Sequence, residues 1–479
     1  MRLRWKVRRR RGRILILAAA AMMLVVMASL LAACGSSGST SDQATATTVA
    51  VVGQTASSQS NGAPAAPPGG TSGGQASSAS VTYTGAYTVS GETKTASGKT
   101  YNATNKDESA VLVTDSGNLT LSGATITSSG ATSSQDNSSF YGLNAGVLAT
   151  AGSSITLSDS SISTTGTGAN GAFATGEGSS VTLSNVTIKA TADGGHGVMA
   201  TNGGTMTLTN VDMDTAGTSS AAIATDRGGG TITATGGTLN TSGLNSPGIY
   251  STGNITVTGA TFTATGSEAA VIEGGNSISL TDTSLSGAKK WGVMIYQSMS
   301  GDAAGTKGTY TMTGGSLSAA VGPLFYVTNS TGLINLSGVS LTAKSGTLLT
   351  ASAGDWGTSG SNGGTVVLTA DGQTLTGNVT ADKISSITMT LKSSSTLTGT
   401  VDADNTAKSI SLTLDGTSAW NVTGDSCVGA LSDAAGISGT SVTNIVGNGH
   451  TVYYDSASSS DLGGQTYTLS GGGTLTPAS

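Results

Sequence analysis

An eight-residue alternation of apolar and polar positions recurs nine times between Leu119 and Leu341. Copies include LTLSGATI from Leu119, ITLSDSSI from Ile155, VTLSNVTI from Val181 and MTLTNVDM from Met206. Positions one and three are nearly all apolar, as a half-buried strand requires. Position eight is always apolar and position six usually small, so the inward phase resumes there after slipping by one residue. Such a slip flips the faces of a straight strand, so the chain must turn a corner between positions four and six. Position five carries Gly123, Asp159, Asn185, Asn210, Gly236, Gly259, Asp282, Gly314 and Gly338. These residue types tolerate φ > 0, and none is β-branched. The phrase predicts strand, left-handed corner, strand.

The copies return mostly about 23–26 residues apart, within the range of solenoid repeats. A shorter strand precedes most of them, as in GVLAT from Gly146, GAFAT from Gly171 and GVMAT from Gly197. Three short strands per repeat with no helical periodicity predict an all-β parallel β-helix, its coils stacked at roughly 4.8 Å. Extra residues after Ile126 and after Leu285 are expected to bulge as loops. The β-helix is expected over 81–345. Three tighter units (Val366–Val379, Ile387–Val401, Ile410–Val422) and a closing cap (Val442–Asp455, Gln465–Leu475) fill 346–479.

The start of the chain has a different character. Eight of its twenty basic residues lie within the first thirteen positions, followed by an apolar run from Ile14 to Leu31 and then Leu-Ala-Ala-Cys ending at Cys34. This order of charge, apolar run and small residues resembles a bacterial lipoprotein signal, so 1–33 is expected to be removed and Cys34 lipidated. Residues 34–80 are Ser/Thr/Ala/Gly-rich with a Pro cluster, a flexible linker with a reach of roughly 35–40 Å. The remaining chain holds 12 basic against 26 acidic residues, a balance of −14 rather than the overall −6. That disfavours a nucleic-acid partner, which needs Lys/Arg stripes. The second cysteine, Cys427, has no evident partner and is expected as a buried small residue.

The repeated phrase with its Asn/Asp/Gly corner resembles the right-handed parallel β-helix proteins of the pectin-lyase-like superfamily, and more narrowly adhesin-like bacterial surface lipoproteins of that fold. The resemblance covers roughly Ser80 to the C-terminus. It implies a fold more than an activity, because that fold hosts lyases, hydrolases, tailspikes and adhesins.

Enzymes of that superfamily group Asp with Arg or Lys on one face of adjacent coils. Here Asp226, Arg227 and Glu273 come nearest, with Lys289, Lys290 and Trp291 at the next coil's entrance; most such residues are solvated loop ends. No catalytic residue, metal or cofactor is therefore assigned. His196 reads as a turn residue. Asp212 with Asp214, and Asp402 with Asp404, have D-x-D spacing but lack an EF-hand or nonapeptide frame.

Two surface patterns remain. Positions two and four of the phrase are almost all Thr or Ser, a ladder that resembles the ice-binding face of some β-solenoids and also suits any exposed strand. On the short strands Leu148, Phe173, Met199, Ile223, Tyr250, Ile272, Met294 and Phe325 fall in one column. It is either ordinary core or an outward apolar ridge, which would make Phe173, Met199, Tyr250, Met294 and Phe325 a contact surface. Together these features predict a lipid-anchored, extracytoplasmic β-helix that binds a glycan or another cell-surface polymer without enzymatic activity. The alternatives are a polysaccharide lyase or glycoside hydrolase and, less, an ice-binding protein.

Overall fold

The computed structural model describes residues 81–478; the expected signal segment 1–33, Cys34 and the expected linker 34–80 lie outside the described residues. The chain winds into a β-solenoid of about 16 turns, 52% strand and 3% helix. Most repeats contribute one strand to each of three parallel sheets, and the C-terminal coils build a fourth sheet of nine strands. Sheet 1 has 12 strands, sheet 2 has 14 and sheet 3 has 10, each joined to the equivalent strands of the preceding and following coils.

The recurring phrase builds the junction between sheets 2 and 3. In the coil at Val181, Ser180–Ser184 runs in sheet 2 and Thr187–Ala190 in sheet 3. All nine fifth positions have positive φ, between 48° and 68°. An Asn or Gly there passes through the left-handed region that a β-branched residue resists. Where Asn follows Asp or Asn, the side chains bond along the stack: the Asn185 Nδ2 amide donates to Asp159 Oδ1 at 3.1 Å and the Asn210 amide to Asn185 Oδ1 at 3.5 Å.

Positions one, three and eight enter a single continuous core. Leu119, Leu121 and Ile126 are buried, as are Val181, Leu183 and Ile188 two coils later. Position six is also inward, with Val186, Val211 and Thr283 buried. At the N-terminal end a first coil runs through Thr84–Ser90, Thr93–Ser97 and Thr100–Ala103. There Lys94 occupies position one and stays exposed, paired with Glu92 at 3.2 Å. The tighter downstream units form further coils, and the C-terminal end closes with antiparallel pairing of Tyr467–Ser470 against Thr474–Pro477. Such a closure leaves less strand edge for another chain to extend.

The pairing register corrects the proposed column on sheet 1. Leu148, Phe173 and Met199 align, but the next residues in line are Ala224, Tyr250, Val271, Met294 and Tyr326. Ile223 and Phe325 instead align with Val147, Ala172 and Val198 and face the main core. Ile272 aligns with Ser251 and also packs into that core.

Candidate functional site on the outer face of sheet 1

Phe173, Met199, Tyr250 and Met294 point away from the main core yet are not an exposed ridge. With Leu112, Leu148, Val271 and Tyr296 they form a second buried apolar cluster on the outer face of sheet 1. The expected contact surface is thus roofed over, and the chain segments between coils supply the cover. The span after Ile126 folds back as a short helix, α1 (Gln135–Tyr141), capped by Ser134, whose hydroxyl accepts from the Asn137 N–H. Its end at Gly142, φ 77°, passes so close to Phe173 that a Cβ would lie 2.6 Å from the ring. Only glycine fits that approach. The Phe140 carbonyl accepts from Thr201 Oγ1 at 2.7 Å and Asn202 Nδ2 at 3.1 Å, tying α1 to coils sixty residues downstream.

Asp226, Arg227 and Glu273 are brought together under this cover, with partners that sequence spacing did not reveal. The Arg227 guanidinium lies 3.8 Å from the Phe140 ring centroid and donates to Asp302 at 2.8 Å. Asp302 accepts from the Ser300 hydroxyl at 2.8 Å, and Ser298 links Ser300 to Glu273. Glu273 also accepts from Tyr250 at 2.5 Å and Tyr296 at 2.8 Å. Asp226, Glu273 and Asp302 are 1%, 0% and 3% exposed. Burial, then Asp302, hold the Asp226 carboxyl well above the usual carboxylate range. Burial and the Glu273 charge likewise push both tyrosine hydroxyls well up. Catalysis on a polymer needs acid and base within reach of the scissile bond. This network instead joins α1, the 297–306 loop and the sheet, which is a fastening role.

The other candidates are separate. Lys289 is exposed, and Lys290 donates to Asn245 Oδ1 at 2.7 Å. His196 is nearly buried, accepts the Ala221 N–H on Nδ1 at 3.0 Å, and burial pulls its pKa down to about 4. Asp212 accepts the Thr238 N–H at 2.8 Å and Asp214 the Asn240 amide at 3.0 Å. Asp402 binds the backbone of Thr406 at 2.9 Å, while Asp404 is exposed. Cys427 is half-buried rather than buried; it lines an open groove of ≈ 670 Å³ with Asp402, Lys408 and Tyr453.

Beyond Met294 the cover thins. Trp291 stacks on Tyr326 (centroids 4.3 Å apart, 19° between planes), and Trp356 leans on Tyr296 at 4.6 Å. Trp291, Tyr326 and Trp356 are each half-buried. The outward column then turns hydroxylated: Tyr326 is followed by Thr350 and Thr380, bonded to each other at 3.0 Å. A groove of ≈ 1040 Å³ opens there, between the 352–362 loop and the coil ends at Thr380–Ile384 and Asn405–Thr406.

Sheet 2 presents the contrasting face. Over its first nine coils, from Thr93 to Thr313, three outward columns stay in register. Their 27 positions hold 17 Thr, 8 Ser and 2 Asn, with no charged and no buried residue. No protein family, curated protein or solved structure matches this chain.

Proposed function

We propose that the protein is a lipid-tethered, extracytoplasmic β-solenoid of the pectin-lyase-like type that adheres to uncharged polymer without cleaving it. The observation that carries this reading is the outer face of sheet 2: hydroxyl and amide groups in register, uncharged and uncovered, on a body whose balance is −14. At roughly 4.8 Å per coil its nine coils span about 38 Å. A face of that kind binds through summed hydrogen bonds and shape, with no dominant charge. The alternative of a lyase or hydrolase loses support because the grouped carboxylates are sealed beneath α1 and its neighbouring loops.

Sedimentation of the full-length chain with insoluble xylan, cellulose or chitin tests this. Binding should weaken when Thr207, Thr233 and Thr256 are replaced together by Glu. Unchanged binding by that variant would overturn the assignment of the face. A second reading has its own support: Thr-x-Thr in four of five successive coils, from Thr207 to Thr313, repeats at roughly 4.8 by 6.6 Å, close to the order of water in ice. Inhibition of ice recrystallisation, lost in the same variant, distinguishes it.

A further inference from the structure

We infer that the aromatic step at Trp291, Tyr326 and Trp356, with the groove beyond it, is a discrete subsite for a short run of a neutral glycan chain. The inference rests on the reading of the protein as a polymer binder, but names a different face. Of the three tryptophans among the described residues, Trp420 is in the core, whereas Trp291 and Trp356 are only partly buried on the outer face of sheet 1. Each is backed by a tyrosine ring. Rings held by stacked or tilted packing on a tyrosine keep one rigid apolar face free, and the C–H faces of pyranose rings are the complementary surface.

The groove lies directly beyond the step. Tyr326 and Thr350 are paired residues on adjacent strands, so one coil, roughly 4.8 Å, separates them. The Tyr326 hydroxyl contacts Ser352 at 3.4 Å and the Ala353 carbonyl at 3.5 Å, and both residues line the groove. Its other walls carry Thr380, Thr406, Asn405, Asp355, Asp382 and Lys383, a mixture suited to many ligand hydroxyls. At ≈ 1040 Å³ it is slightly larger than the usual ligand site of about 300–1,000 Å³.

One groove-lining group lacks a partner. Asn362 is 5% exposed, and its Nδ2 amide holds the loop by donating to Gly354 at 2.8 Å and Trp356 at 2.9 Å. Its Oδ1 is buried with nothing donating to it. A buried acceptor left unpaired is costly, and with no surface open to the groove this oxygen belongs to the packing of the 352–362 loop rather than to the ligand contacts. Charge selects the class of sugar: two carboxylates against one ammonium line the groove, on an acidic body, so a polyuronide is disfavoured.

Soluble hexasaccharides report on this subsite apart from the extended face of sheet 2. Xylohexaose, cellohexaose and N-acetylchitohexaose are titrated into the full-length chain by calorimetry, with oligogalacturonate as the charged control. At least one neutral hexaose should bind. Trp291→Ala and Trp356→Ala should each weaken it roughly tenfold or more, while Thr207→Glu leaves it unchanged. Trp291→Phe, which keeps an aromatic face, should recover most of the binding lost in Trp291→Ala, and unchanged melting of the alanine variants guards against a folding artefact. Binding of oligogalacturonate in preference, equal binding by the tryptophan variants, or no hexaose binding overturns the subsite. Insoluble polymer binding that survives alongside such a failure leaves the reading of sheet 2 standing.

Discussion

Replacing Phe173 by Ala tests whether the outer face of sheet 1 is a second core. The ring is fully buried between Leu148 and Met199 in its column, and the end of α1 at Gly142 lies against it. Truncating a buried Phe costs about 3–5 kcal/mol, from lost transfer energy plus an unfilled cavity. Were the residue on an open ridge, the change would stay within about 0.5 kcal/mol. The damage should also be localised. The α1 segment is held by Phe140, by its carbonyl and by the Phe173 contact, so its amides should exchange faster than those of sheet 3 in the same coils. Urea unfolding gives the energy, and hydrogen exchange across 132–145 gives the location. A loss below about 1 kcal/mol with unchanged exchange in α1 would refute the roofed cluster.

Three further outcomes are expected. Asn185→Val should cost about 1–3 kcal/mol, because a β-branched residue would have to adopt φ 53°, whereas Asn185→Gly should cost much less; equal losses on melting would contradict the strained corner. Asp433 is fully buried, burial pushes its carboxyl up to about 6, and both its Oδ2 and Asn444 Oδ1 lack donors. A raised carboxyl pKa makes stability fall as pH rises from about 4 to about 6. Asp433→Asn, which supplies a donor, should therefore raise stability by about 1–3 kcal/mol at pH 7.5 and little at pH 4, and an equal gain at both would contradict this. Finally, Cys34→Ala should abolish lipid labelling and release the protein from the membrane fraction; an uncleaved, membrane-bound variant would contradict lipid anchoring.

Much of the coil was legible because its signal is local and repeated. Apolar residues at positions one, three and eight, with Gly, Asn or Asp at five, describe strand, corner and strand without reference to distant residues. The β-helix was expected from residue 81, but the phrase itself could not be read in the first coil because Lys94 stands where an apolar residue would: at a solenoid end that position need not be buried. Sheet 1 was misaligned by one residue at Ile223, Ile272 and Phe325 for another reason. Its strands are apolar on both faces, so alternation no longer marks which side is in. The roof is not written in any period. Ser134 and Gly142 are helix start and stop signals in themselves. That α1 lies on Phe173, or that Asp302 meets Arg227 across 75 residues, depends on contacts between distant coils. The grouping of Asp226, Arg227 and Glu273 was visible from their places after the short strands; the burial of the two carboxylates was not.

The measurement that bears most directly on the account is the fate of a bound polymer. The full-length protein is incubated with xylan, chitin and polygalacturonate, and the bound and free chains are sized by chromatography alongside an assay for new reducing or unsaturated ends. The account predicts that neutral polymer is retained at unchanged length, with no new ends, and that Asp226→Asn and Glu273→Gln leave retention intact. Shortened chains produced by the wild type, and lost in those two variants, would contradict it and make the sealed carboxylates an active site.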